Sequence, residues 1–315
     1  MTAAISLEGL SKVYGDVRAL DSVDLTVPEG SVFGFMGPNG AGKTTTLRIL
    51  SGLAKATSGT ARIFGMEAGS SRASAVVGFL PDVPGFYEWM TAPEYLRFCG
   101  GLFGIDAATV ESRSAALLDM AGLAGVTTRV GGFSRGMKQR LGVAQALINA
   151  PRLLMLDEPT SALDPLGRRD VLDMIVALRG KTTVFFSTHI LADVERVCDT
   201  VAVLDRGRVI VQGPIGDLTS RRTRRYVLEV DGDAAMIAGE LERAEWASSV
   251  TRESDRLTFS VSDPSTAGRE VPGMLNAHRL GLVRFEPLEV TLEDVFVDLV
   301  ERGPGSDGDM GEVVS

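Results

Sequence analysis

The chain has 315 residues, 44% of them hydrophobic and 23% charged, the proportions of a globular protein with room for one large core and a smaller one appended. A formal charge of −9 gives no general electrostatic reason to bind nucleic acid, because phosphate neutralisation needs clustered Lys and Arg. No apolar run approaches the roughly 18 to 20 residues that cross a bilayer, and Met1–Gly15 lacks a basic stretch followed by a hydrophobic one, so neither a membrane span nor an export signal is expected.

From Ile5 the chain reads as short β-rich segments, and from about Thr44 it alternates helical and strand-like stretches, the pattern of an α/β layered domain. Gly37, Pro38, Asn39, Gly40, Ala41, Gly42, Lys43, Thr44 and Thr45 follow the strand-like Val32–Met36 and precede the helical Leu47–Leu50. That strand-loop-helix setting is the one a phosphate-binding P-loop requires. Gly37, Gly40 and Gly42 let the backbone curl with its N–H groups inward, and the helix beginning near Lys43 adds its positive end. Lys43 is expected to bridge the β- and γ-phosphates as a point charge, and the Thr44 hydroxyl to bind Mg²⁺. A chance glycine-rich turn would not carry the full spacing together with this context.

Downstream, GFLPDVPGFYEWMT (Gly78–Thr91) sets Asp82 after Leu80 and Pro81, then an apolar cluster of Phe86, Tyr87, Trp89 and Met90 that suits either local core or a partner contact. Cys99 and Cys198, with no CxxC pair, read as part-buried thiols of a reducing compartment. In FSRGMKQRL (Phe133–Leu141), Ser134 is a good helix cap in its own right.

Leu153–Leu156 and Thr183–Phe186 are continuously apolar and suit central parallel strands buried on both faces. Between them Leu166, Val171, Leu172, Ile175, Val176 and Leu178 recur at helical spacing, which makes a βαβ crossover. The first strand delivers Asp157 and Glu158 at its carboxyl end, where ligands gather in open α/β sheets. Asp157 can hold Mg²⁺ through water while Glu158 polarises the water that attacks the γ-phosphate; taken alone, a solvated strand-end pair is the plainer reading. Asp164 caps the helix starting near Pro165, and the second strand runs into Ser187, Thr188 and His189.

Over Gly213–Arg225 the composition shifts to Gly, Pro, Thr, Ser and Arg, with Arg221, Arg222, Arg224 and Arg225 forming a basic knot that reads as a solvated hinge or a contact for a membrane surface or partner. The expected division is residues 1–220, a small α+β domain over 221–302, and a disordered acidic tail over 303–315. Within the small domain the pattern reads β (Tyr226–Val230), α (Ala234–Ala244), β (Arg256–Val261), α (Thr266–Leu280), β (Val283–Val290) and α (Leu292–Leu299).

The P-loop, FSRGMKQRL, LDEPTSALD and STH, in this order, resemble an ABC-family nucleotide-binding domain, and the resemblance covers roughly residues 1–220. It implies the fold of a P-loop NTPase of that family, a mixed sheet with a β-rich N-terminal part and a helical subdomain. It also implies ATP and Mg²⁺ as ligands. By resemblance, Ser134, Arg135, Gly136 and Met137 form the signature loop that meets the ATP held by a second copy in a head-to-tail dimer. Arg135 and Met137 depart from the commonest LSGGQ form and resemble the variant of drug- and polysaccharide-exporter ATPases of the ABC-2 type.

On the same basis His189 is the switch histidine that holds Glu158 and the water, Tyr14 stacks on adenine, and Asp164 lies in the loop that crosses the dimer interface. Asp82 stands where the family usually has a coupling glutamine; a carboxylate there can order a Mg²⁺-bound water or serve as a hinge. The ending LEVTLEDVFVDLV (Leu288–Val300) resembles the accessory domain of daunorubicin-resistance-type exporter ATPases. The implied function is an ATPase at the cytoplasmic face of the cell membrane that powers export of a drug, lipid, glycan or ion through a separate integral membrane permease. A second P-loop or sustained heptads would point instead to soluble translation or DNA-repair members, and the chain has neither. A small-substrate kinase would leave FSRGM and STH unexplained.

Overall fold

The fold was analysed in a computed structural model that describes residues 3–220 and 225–288. The chain divides into two compact units, Met1–Ile215 and Gly216–Ser315.

In the first unit the strands are β1 (Ala3–Tyr14), β2 (Val17–Pro28), β3 (Val32–Met36), β4 (Ser58–Ile63), β5 (Met66–Glu67), β6 (Val77–Leu80), β7 (Leu153–Asp157), β8 (Thr183–Thr188), β9 (Thr200–Asp205) and β10 (Arg208–Pro214). Its helices are α1 (Lys43–Leu50), α2 (Ser71–Ser74), α3 (Ala92–Leu102), α4 (Ala107–Met120), α5 (Arg135–Ala146), α6 (Pro165–Ala177) and α7 (Leu191–Val197), and α8 (Ile215–Ser220) begins at its last residue.

One sheet has the order β10-β9-β3-β8-β7-β6, and β9, β3, β8, β7 and β6 run parallel. Its interior strands β3, β7 and β8 are buried at every residue, as unbroken apolar runs covered on both faces must be. The second sheet, β2-β1-β4-β5, is antiparallel. Ile5, Leu7 and Val23 of this sheet share one core with Leu47 and Leu50 of α1 and with Phe33, Phe35 and Phe185 of the parallel sheet. The P-loop helix is therefore clamped between two sheets.

Helices α3, α4 and α5 make the helical part. Thr91 starts α3 with a capping box, its N–H donating to the Glu94 carboxylate at 2.8 Å, which holds that carboxyl below its usual range. Gly100 lets α3 approach α4, since a Cβ there would stand 2.7 Å from a Val110 methyl. Cys99 and Cys198 are both free and buried.

The second unit contains β11 (Arg225–Asp231), α9 (Ala235–Arg243), β12 (Ala247–Glu253), β13 (Arg256–Val261), α10 (Pro264–Ala277) and β14 (Gly281–Pro287). Its antiparallel sheet has the order β12-β13-β11-β14, with Leu228, Val230, Leu257 and Phe259 packed against Ile237, Leu241, Val271 and Leu275 of the helices. Strand β12 was not expected: its sequence ASSVTRE is largely exposed at the sheet edge and carries no apolar alternation. The helix expected over Leu292–Leu299, the tail over 303–315 and Arg221, Arg222 and Arg224 lie outside the described residues, whereas Arg225 opens β11.

Candidate functional site

Because β3, β8 and β7 are consecutive neighbours and parallel, their carboxyl ends lie side by side. The loop after β3 is Gly37–Gly42, the residues at the end of β7 are Asp157 and Glu158, and those at the end of β8 are Ser187, Thr188 and His189. Sheet order alone thus gathers three segments far apart in sequence at one edge.

The loop packs down at its ends and opens at its tip. A Cβ on Gly37 would stand 2.1 Å from Leu204 O, and one on Gly42, at φ +112°, 2.6 Å from Ala19 O, so both positions demand glycine. Pro38, Asn39 and Gly40 are exposed, and Ala41 is buried. Gly42 caps α1, whose first-turn N–H groups at Lys43, Thr44 and Thr45 have no partner within the helix and so offer an anion site together with its dipole.

Lys43 is 5% exposed, and its Nζ donates to Gly37 O at 2.7 Å and Pro38 O at 3.2 Å. The same Nζ is 3.1 Å from Glu158 Oε1, close enough for an ion pair but out of line for a hydrogen bond. A buried ammonium curled against the loop's own carbonyls is a positive charge stored beneath an N–H-lined cup, which fits a polyphosphate.

Thr44 Oγ1 donates to Asp157 Oδ1 at 3.2 Å, and Ser187 Oγ donates to the same oxygen at 2.7 Å. Burial pushes the Asp157 carboxyl up; the bonds from Ser187 and Thr44 pull it back, and the nearby Asp82 and Glu158 charges add to the rise. An ionised Asp157 is therefore held at a cost that a bound cation would offset. Among the described residues no cluster of three His, Cys, Asp or Glu side chains could hold a metal. The hydroxyl and carboxylate of Thr44 and Asp157 are still a suitable pair for Mg²⁺, which takes few protein ligands beside phosphate and water.

Adjacent residues of a strand face opposite ways, yet Asp157 and Glu158 share the site because Glu158 adopts φ +48°, in the left-handed region. Its N–H is held by Ser187 O at 3.2 Å and Ser187 Oγ at 3.0 Å. Its side chain is 11% exposed, and Oε2 receives His189 Nδ1 at 2.8 Å. A carboxylate only accepts, so Nδ1 carries the proton in that contact.

The remaining predicted residues stand around this centre. Tyr14 ends β1, 46% exposed, with the Lys12 ammonium 4.6 Å from the ring centroid. Asp82 is exposed just beyond β6, the strand beside β7, near enough to act on Asp157. Ser134 caps α5, accepting Met137 N–H at 3.2 Å; Arg135 is exposed, and Gly136 lies against Gly167 of α6. Asp164 caps α6, accepting Gly167 N–H at 3.2 Å. The Ser134–Met137 hydrogen bond lies at the start of α5, and Gly136 abuts α6. Ser187 enters the sequence reading only through the STH stretch, because a side-chain bond between distant segments leaves no local pattern.

A family model described as ABC transporter matches residues 20–161. The YxlF protein of Bacillus subtilis (strain 168), an uncharacterized ABC transporter ATP-binding protein, is 39% identical over 299 residues, covering 94% of this chain and 99% of that one. The chain belongs to the ABC transporter ATP-binding proteins. It is accordingly a nucleotide-binding ATPase. The daunorubicin/doxorubicin resistance ATP-binding protein DrrA of Streptomyces peucetius is 38% identical over 310 residues, covering 95% of this chain and 92% of that one. A solved ATP-binding cassette, dimeric and in a post-hydrolysis state with ADP and Pi, aligns at a TM-score of 0.60 and 25% identity over 67% of this ABC protein and 98% of its own chain. No helix among the described residues is long and apolar enough to cross a membrane.

Proposed function

We propose that this ABC protein hydrolyses ATP between two copies of itself, head to tail, and so drives export through a separate membrane permease. The observation that carries the reading is Glu158, held between the Lys43 ammonium at 3.1 Å and the His189 ring at 2.8 Å beside the phosphate cup. The ABC-2 exporter assignment draws support from the DrrA relative, whose name is that of a resistance protein.

In this reading the N–H groups of Gly40–Thr45 and the Lys43 ammonium bind the phosphates, and Thr44 and Asp157 would hold Mg²⁺. When bound, Mg²⁺ neutralises and orients the phosphate oxygens. Glu158 accepts a proton from the attacking water, while His189, donating through Nδ1, fixes the carboxylate's orientation. Tyr14, 46% exposed with the Lys12 ammonium over one face of its ring, is assigned to stack on adenine. Asp82, whose charge acts on Asp157, would order water close to that pair.

Ser134, Arg135, Gly136 and Met137 serve the partner's nucleotide, a reading supported by the exposure of Ser134 and Arg135 at the start of α5. Asp164 lies between the two sites, on a helix whose N-terminus abuts that of α5 at Gly136 and Gly167. Tyr87, Trp89 and Phe98 form an exposed aromatic cluster, with Tyr87 4.9 Å from Trp89 and 5.2 Å from Phe98, and this is the surface assigned to the permease. Lys138 of α5 reaches Glu88 inside that segment at 3.0 Å, which joins the aromatic segment to the helix of the signature loop. Docking on the permease would hold the protein at the cytoplasmic face of the membrane. The second unit is assigned an accessory role.

Glu158→Gln tests the reading. Nucleotide affinity should persist while turnover of the full chain falls by at least about a hundredfold, the typical worth of general-base catalysis. Near-normal hydrolysis would remove Glu158 from this role.

A further inference from the structure

Among the described residues Asp193 is the acid with no solvent exposure at all, and both of its oxygens are engaged. Oδ2 accepts from Thr160 Oγ1 at 2.5 Å and Oδ1 from Arg168 Nε at 2.6 Å. Thr160 is itself 1% exposed. A carboxylate buried this completely persists only if its partners are fixed, since losing either leaves a desolvated group unsatisfied.

The three residues lie on three different segments of the site. Thr160 closely follows Glu158 at the end of β7, Asp193 follows His189 in the first turn of α7, and Arg168 follows Asp164 in α6. Glu158 at φ +48° is strained for a residue with a Cβ, and such a conformation survives only where its surroundings over-determine it. Ser187 pins the N–H of Glu158 on one side. On the other side the Glu158 carbonyl accepts from the Ser161 N–H at 3.1 Å, closing a turn whose Thr160 side chain is fastened to Asp193.

We infer that Asp193 is a positioning residue for hydrolysis: through Thr160 it sets the backbone angle of Glu158 and, through α7, the distance to His189. This rests on the reading of Glu158 as the base. The printed bonds of Asp193 go to Thr160 and Arg168 and not to the P-loop, so the effect is expected on turnover rather than on nucleotide binding. An orientation error at a reacting group costs about ten- to a hundredfold in rate.

The test is steady-state ATP hydrolysis by the full-length chain carrying Thr160→Val or Thr160→Ser, with Glu158→Gln measured in parallel. Valine keeps the shape and removes the hydroxyl; serine keeps the hydroxyl and removes the methyl. Thr160→Val should lose about tenfold or more in kcat with KM for ATP unchanged, and Thr160→Ser should turn over like the parent. Parental kcat in Thr160→Val, a KM that rises in step with the loss, or a Thr160→Ser as slow as Thr160→Val would overturn the inference. Should Thr160→Val fail to fold, Arg168→Gln reads the same junction from its 31% exposed end. A lowered kcat at constant KM supports the inference there, and an unchanged kcat refutes it. If Glu158→Gln is inactive while Thr160→Val is normal, only the positioning role falls; if Glu158→Gln still turns over, the reading of the base falls instead.

Discussion

Replacing Ser187 by Ala removes one hydroxyl that makes two bonds, donating to Asp157 Oδ1 at 2.7 Å and accepting from the Glu158 N–H at 3.0 Å. Ser187 is fully buried and Asp157 2% exposed, so water does not replace either bond. The bond to a carboxylate is worth about 1.5–3 kcal/mol; that from the amide, which keeps Ser187 O as a second acceptor, is worth about 0.5 kcal/mol. A total loss of about 3 kcal/mol lowers the Tm of a unit of this size by roughly 6–12 °C, read by calorimetry without nucleotide.

The pH dependence identifies which bond matters. Burial already holds the Asp157 carboxyl above 3.8, and without Ser187 it rises further. A raised carboxyl pKa means that the folded chain binds more protons than the unfolded one, so the penalty is absent below the unfolded value and grows as pH rises through the folded one. The Tm gap between Ser187→Ala and the parent should therefore be full at about pH 7 and narrow toward about pH 4. On an Asp157→Asn background it should shrink to about 1 kcal/mol, the worth of neutral bonds. A gap that is the same at both pH values and in both backgrounds would refute the reasoning.

Other perturbations read other parts of the site. Lys43→Ala removes the ammonium and leaves Glu158 Oε1 without its counter-charge, so ATP affinity measured by equilibrium binding should fall by about tenfold or more; unchanged affinity would count against the phosphate cup. Burial pushes the thiols of Cys99 and Cys198 up, Cys198 well above the usual range, so little thiolate exists at neutral pH. Neither should react with a disulfide reagent in the folded chain, and both should react in urea; prompt labelling of the native protein would contradict their burial.

The P-loop was legible because it is a local device, in which strand, glycine spacing and helix start are contiguous in sequence. The strands Leu153–Leu156 and Thr183–Phe186 were legible because burial on both faces leaves an unbroken apolar run. Strand β12 was not, since an exposed edge needs no apolar residues. Within the site the sequence points to Asp157 and Glu158, but not to the left-handed backbone at Glu158 that turns both toward one place. Nor does it announce that Ser187 binds Asp157 or that Asp193 joins Thr160 to Arg168. Those bonds span segments that only the strand order brings together, and a polar residue beside an apolar strand looks the same whether it caps, solvates or bridges.

The central claim is that each ATP is enclosed by the P-loop of one chain and the Ser134–Met137 loop of another. It is tested most directly by the sedimentation mass of full-length Glu158→Gln with and without Mg-ATP, since this variant should bind nucleotide and consume it only slowly. The account predicts a monomer without nucleotide and a dimer with it, and reversion to a monomer when Ser134→Arg is added to place a bulky charge at the loop. A mass unaltered by ATP, or a dimer indifferent to Ser134→Arg, would contradict it.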